Sequence, residues 1–503
     1  MPPKRKSSKS TKAEKRLDLS IDIKDFGPIS SGKIDLKPLT IFVGPNNSGK
    51  SYAAMLIHSI FESCTLSIGS SVSPFVQRKH MLGNIDDKTS ANQFSEMDKK
   101  LKNLGEGQEL IIPKQVRDEL IRRFFKTWGN QLGSEIAHSF GCAIDGLVRV
   151  GEKSFKLRIK TNSTSVDIFY PEKELRISHY PPLDFEIKVV RKEGAAHDVY
   201  VGGVIAVIHL GHFRSELRPD RPSFSELTYY MFDSLFSILL RNLITPCPYL
   251  PAARSGIIQT FKPLSARLVQ LAPLAGVGDE RMELPELSGV VADFLSSLIT
   301  LPENEGPFYE LTQQSERDLI HGEIIRDITD KYRIPGIKYG FSGTKIPLHR
   351  ASSTVSELAP LFLYLKYYIR PGNIFIIEEP EAHLHPANQR ILAKYLVRLI
   401  RKGVNIVITT HSDFLLGQLN NFILLSGITP KKRLEKYVDD KNDFLNTDEV
   451  AAYVFSPDKT GGYKIHQVEI TEEDGISEEE FVRVHEALYD ETIKLRRELD
   501  KEE

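Results

Sequence analysis

The chain is poor in cysteine, has no long apolar run and carries almost no net charge. Only Cys64, Cys142 and Cys247 occur in 503 residues, too far apart for a metal-ligand spacing, so reduced thiols are expected and a zinc site is not. No run approaches the roughly 20 apolar residues that a bilayer span requires, and the opening MPPKRKSSKSTKAEKR lacks the apolar core of a signal peptide. The expectation is a soluble, cytoplasmic protein with no membrane partner. With 66 Lys plus Arg against 67 Asp plus Glu, the molecule as a whole has no field to attract nucleic acid. The balance is locally uneven: residues 1–16 carry seven basic residues against Glu14, the composition of a basic disordered tail.

Hydrophobic periodicity then organises the chain. LDLSIDIKDF alternates Leu17, Leu19, Ile21 and Ile23 with polar residues, a half-buried strand, and KIDLKPLTIFV leads into a buried one. KSYAAMLIHSIFESC places Ala53, Ile57, Ile60, Phe61 and Cys64 on one helical side. Late in the chain SELAPLFLYLKYYI reads as a buried helix, NIFII as a buried strand, ANQRILAKYLVRLI as an amphipathic helix and VNIVIT as a further buried strand. The fold class is α/β, a mixed central sheet flanked by helices, with a mixed α and β insertion between the two halves. The expected layout is a tail to residue 16, an N-terminal half at 17–75, the insertion at 76–244, a C-terminal half at 245–425 and an extension at 426–503. Residues 77–110 are polar enough to read as an exposed loop or linker. No apolar heptad is sustained and no fixed-period repeat occurs.

GPNNSGKS, comprising Gly44, Pro45, Asn46, Asn47, Ser48, Gly49, Lys50 and Ser51, satisfies G-x-x-x-x-G-K-[ST] between a strand and a helix. Backbone amides of residues 46–51 would converge on a β-phosphate at a helix N-terminus, Lys50 would neutralise β and γ oxygens, and Ser51 would offer its hydroxyl to Mg²⁺. The four apolar residues of NIFIIEEPEAHLHP deliver Glu378 and Glu379 to the carboxyl end of a strand, where open α/β sheets bind ligands. Glu378 is assigned to Mg²⁺ and Glu379 to general base, by their order in the chain. VITTHS places His411 at the end of another strand, beside the expected γ-phosphate.

GPNNSGKS, IIEEPEAHLHP and VITTHS, together with the FG turn of DIKDFGPISSG and with YLPAARSG, are where the chain resembles ABC-type ATPases of the RecF, SMC and OLD group. The resemblance implies ATP and Mg²⁺ as cofactors and ATP hydrolysis. It implies a signature segment at ASSTVSELAPL, where Ser352 and Ser353 would face a nucleotide held by a second copy, although Thr354 stands where the group often has glycine. It implies a head-to-tail ATP-sandwich dimer, or a higher oligomer. Gln77 and Gln93 are both candidates for the Mg²⁺-sensing glutamine, and Arg254 either reaches a phosphate or pairs inside the domain. His383 and His385 fall in the loop that would join the two sites.

Many OLD relatives carry a Toprim nuclease, but VEITEEDG is followed by no DxD, so an effector nuclease or toxin is expected to be a separate protein. The pattern is similar to the ATPase subunits of PARIS- and Septu-type antiphage systems. The alternative is a RecF- or SMC-like DNA clamp, for which basic residues around Lys153, Lys156, Arg158 and Lys160 are compatible. A transporter motor is disfavoured by the size of the insertion, and a small-molecule kinase by the paired carboxylates.

Overall fold

The computed structural model describes residues 19–69, 88–161, 164–170, 175–179, 185–191, 197–201, 204–206, 224–259, 287–327, 336–477 and 491–493. Among them an eleven-stranded mixed sheet dominates. Its strands, in chain order, are β1 (Ser20–Phe26), β2 (Ile29–Asp35), β3 (Leu39–Val43), β4 (Phe155–Lys160), β5 (Ser165–Tyr170), β6 (Arg176–His179), β7 (Tyr249–Leu250), β8 (Ile374–Glu378), β9 (Asn405–Thr410), β10 (Val450–Pro457) and β11 (Tyr463–Val468). Across the sheet the order is β7-β8-β9-β3-β10-β11-β2-β1-β4-β5-β6. The first five of these run parallel, and the antiparallel meander β2-β1-β4-β5-β6 forms the other end. The fold is the α/β arrangement expected from the sequence.

The parallel strands read as continuous apolar runs because both of their faces are covered. Ile374, Ile376 and Val407 pack into one core with Ala53, Ile57, Ile60 and Phe61 of helix α1 (Lys50–Gly69) and with helix α2 (Lys114–Phe140). Their neighbours Phe375, Ile377, Ile406 and Ile408 pack into a second core beneath helices α3 (Ser353–Leu363), α4 (Pro386–Arg401) and α5 (Asp413–Leu424). The period-2 geometry of a strand sends alternate residues to opposite cores. Burial of these apolar strand side chains, at about 2 kcal/mol each, is the main term holding the sheet together.

The inserted region does not stay apart. Its strands β4, β5 and β6 extend the central sheet, with Ile21 opposite Ile159 and Ile23 opposite Leu157. One stretch departs from expectation. Residues 88–102 form a helix (Lys88–Lys102), with Phe94, Met97 and Leu101 buried, where an exposed loop was expected. Charged residues dominate its composition, but the apolar ones recur at i, i+3 and i+7, and that spacing outweighs mean polarity. Residues 1–16 and Gln77 lie outside the described residues.

Candidate functional site

The chain turns from β3 into α1 through Gly44–Gly49, and this turn needs backbone conformations that side chains resist. Gly44 has φ +146°, and a Cβ there would lie 2.7 Å from the Phe455 carbonyl oxygen; Asn47 and Gly49 also have positive φ. Among the described residues, the amides of Asn46, Asn47, Gly49, Lys50 and Ser51 have no protein acceptor, which leaves a row of amides at the N-terminus of a 20-residue helix. Pro45, Asn46, Asn47 and Ser51 are exposed while Ser48 and Gly49 are buried. Lys50 is 6% exposed and folds back over the loop, with Nζ donating to the carbonyls of Gly44 (2.9 Å) and Pro45 (2.8 Å). Burial pushes its pKa down to about 8, against the opposing pull of Glu379, Glu378 and Glu381.

Those carboxylates come from the end of β8. Because β9 lies between β8 and β3, with Glu378 opposite Thr409 and Thr410 opposite Val43, the glycine loop and the carboxylates share the carboxyl edge of the parallel strands. Glu378 is 8% exposed; its Oε2 accepts from the Ala252 amide at 3.2 Å, and its Oε1 is buried without a hydrogen-bond partner. Glu379 is half-buried, with φ +42°, a strained conformation for a residue with a side chain. Two contacts hold it there. Its amide donates to the Thr409 carbonyl at 2.9 Å, and its own carbonyl accepts from Arg254 at 3.1 Å. His411 Nε2 lies 3.9 Å from Glu379 Oε1. Burial and then the charge of Lys50 lower the His411 pKa below the usual imidazole value, so the ring is neutral at physiological pH.

Arg254 does not reach the phosphate side. Its side chain is 1% exposed, pairs with Glu357 at 3.0 Å and donates to the backbone carbonyls of Pro251, Glu357, Glu378 and Glu379. Of the two sequence readings, the internal ion pair is the one present. Glu381, which the sequence reading did not single out, is also central: its Oε1 accepts from Thr410 Oγ1 (2.6 Å) and from the His411 amide (2.9 Å), tying the ends of β8 and β9 together. Burial pushes its carboxyl pKa up. Its signal was present in EEPE, where only the first two carboxylates were weighed.

Ser352 and Ser353 are exposed at the N-terminus of α3, where Ser352 acts as N-cap and accepts from the Val355 amide. The Thr354 hydroxyl donates to the His383 carbonyl at 3.1 Å, which binds this segment to the loop after β8. His385 caps α4 through Nδ1, and His383 is exposed with φ +59°. Gln93 is half-buried on the 88–102 helix.

Residues 19–184 and 273–416, more than half of the chain, match the family model described as AAA ATPase domain. The chain belongs to the AAA ATPase domain family. This AAA ATPase also has structural likenesses to solved SMC heads. An SMC head bound to the C-terminal winged-helix domain of ScpA is 13% identical, with 90% of this chain and 98% of that chain covered, at a TM-score of 0.37. The SMC head domain from Thermotoga maritima is 12% identical, with 90% and 100% covered, at 0.30. An SMC head with an extended coiled coil bound to the C-terminal domain of ScpA, derived from Pyrococcus furiosus, is 12% identical, with 94% and 99% covered, at 0.33. No curated protein sequence matches the chain.

For this AAA ATPase, the residues at the sheet edge fit a nucleotide and a magnesium ion. Free amides and Lys50 suit phosphate oxygens, while the unpartnered Glu378 Oε1 and the exposed Ser51 hydroxyl make an all-oxygen donor set, which is the preference of Mg²⁺. Among the described residues no helix is long and apolar enough to cross a membrane.

Proposed function

We propose that the chain hydrolyses ATP and that the hydrolysis works as a switch on assembly. The observation that carries this reading is the position of Lys50, which rests on the glycine loop within electrostatic reach of Glu378, Glu379 and Glu381. On binding, Lys50 leaves the carbonyls of Gly44 and Pro45 for the β and γ oxygens, and the amides of residues 46–51 take the β-phosphate. Ser51 and Glu378 would hold a magnesium ion, which would supply neutralisation of phosphate charge. Glu379 accepts the proton of a water whose oxygen bonds to the γ-phosphorus as the bond to the bridging oxygen breaks, releasing ADP and phosphate. Neutral His411 orients the γ-phosphate side of that water.

Ser352 and Ser353, exposed at the N-terminus of α3, are proposed to complete the site of a second copy, giving a head-to-tail dimer that ATP closes and hydrolysis opens. The output is proposed to be control of a separate effector protein, a nuclease or toxin, as in the antiphage ATPase subunits that the sequence resembles. The DNA-clamp reading gains little from the basic strand β4, because Arg158 pairs with Asp167 at 2.5 Å and Lys160 lies 3.9 Å from Asp22. The test is phosphate release from ATP, together with sedimentation of the full chain with and without Mg-ATP. Turnover abolished by Lys50→Ala and a nucleotide-dependent mass increase are expected; a monomer at saturating ATP removes the switch.

A further inference from the structure

About 12 Å along α1 from Lys50, a second polar cluster lies outside the ATP site. His58 is 3% exposed. Its Nδ1–H donates to the Cys247 carbonyl at 2.7 Å, which fixes the ring and turns Nε2 towards Asp293. That Nε2 is buried without a hydrogen-bond partner and lies 4.0 Å from Asp293 Oδ2. Asp293, on helix Gly289–Ile299, is also contacted by His138 Nε2 from the end of α2, at 3.0 Å. The two helices approach closely because residue 289 is glycine: a Cβ there would meet the His138 carbonyl oxygen at 2.2 Å. One helical turn before His138, Glu135 joins the group, and single ligand atoms of Glu135, His138 and Asp293 all lie within 4.8 Å of one another. Together they line a cavity of about 250 Å³.

We propose that His58, Glu135, His138 and Asp293 form a binding site for a divalent transition-metal ion, zinc being the first choice. Three observations support the assignment. The imidazole of His58 has its far nitrogen fixed by a backbone carbonyl and its near nitrogen without a hydrogen-bond partner, which is the arrangement that orients a metal-binding histidine. The cavity lining holds Glu62, Glu135 and Asp293 but no lysine or arginine, so a cation suits this group of three carboxylates, of which Glu135 is buried. Two imidazoles with carboxylates select zinc and its neighbours over Mg²⁺ or Ca²⁺, which prefer oxygen alone. Donor atoms around tetrahedral zinc stand about 3.4 Å apart, and the Nε2 atoms of His138 and His58 lie on either side of that value, 3.0 and 4.0 Å from Asp293 Oδ2. The ion would join the glycine-loop helix α1, the inserted helix α2 and the 289–299 helix at one point. No cysteine spacing announces such a site, because its ligands are scattered over more than 230 positions.

The test uses the full chain, purified with a histidine-free tag, stripped with chelator and desalted. Zn²⁺ retention is then read by elemental analysis, and Co²⁺ binding by visible absorption. One equivalent per chain is expected, with Co²⁺ displaced by Zn²⁺ and a raised melting temperature without any nucleotide. The His138→Ala, Asp293→Asn double variant removes two partly exposed side chains and should lose more than about 100-fold in affinity. If that variant does not fold, Asp293→Asn alone, checked by circular dichroism, takes its place. A wild type that retains no Zn²⁺, or a folded variant that retains as much as the wild type, overturns the proposal. A failed ATPase assay leaves these readouts unaffected.

Discussion

Arg254 and Glu357 form an ion pair of 3.0 Å in which both side chains are 1% exposed, and the same guanidinium holds the carbonyls of Glu378 and Glu379. Arg254 is thus a positioning residue. Arg254→Met strands a buried carboxylate and should cost about 3–5 kcal/mol in denaturant unfolding. Adding Glu357→Gln should recover part of that stability without recovering turnover, because the carbonyls of the 378–379 turn stay unanchored. Recovery of both together would make Arg254 merely structural.

Glu379→Gln keeps the size of the side chain but replaces one acceptor oxygen with an NH₂ donor and removes the proposed base. Steady-state phosphate release should fall by about 10²–10⁴-fold, while ATP binding by equilibrium dialysis stays within about threefold. A rate within about threefold of wild type would move the general base elsewhere, with Glu381 next in line.

Lys50 makes nucleotide affinity dependent on pH. In the free protein burial holds its pKa at about 8, and phosphate oxygens will raise it, so binding at pH 8 should take up about half a proton. Affinity should therefore fall as pH rises above 8. Calorimetry in two buffers of different ionisation enthalpy measures the uptake, and its absence at pH 8 would place Lys50 away from the phosphates. The sign for folding is opposite. The native pKa lies below the ordinary 10.5, so the unfolded chain binds more protons between pH 8 and 10.5, and this group's contribution to stability rises with pH across that window.

Ser353→Arg places a bulky charge on the exposed start of α3, away from the chain's own glycine loop in sequence and strand order. Binding of ATP by the single chain should persist. Nucleotide-dependent self-association in sedimentation velocity should disappear, and turnover should fall at least about tenfold if the second copy supplies transition-state contacts.

Most of the parallel half was legible because period and motif agreed: the strand ending at Val43 and the helix opening at Lys50 lie where GPNNSGKS requires them. The Lys88–Lys102 helix was missed because its three buried side chains are diluted by lysines and acids. Arg254 stayed ambiguous because a guanidinium can serve a phosphate or a carbonyl equally well, and only the tertiary neighbours decide. His58 was hidden for a related reason. At the level of the chain it is one more position on a helix, and its partners Glu135, His138 and Asp293 lie far away in sequence.

Strand β9 separates the glycine loop from the carboxylates by one strand on the sheet. Two interstrand steps amount to about 9.6 Å, a span fixed by the hydrogen-bond ladder of the sheet. Reach across this edge of the sheet is therefore governed by backbone ladder spacing, which side-chain exchange hardly alters. Variants that reshape the strand ladder should disable the chemistry even where every side chain it carries is intact.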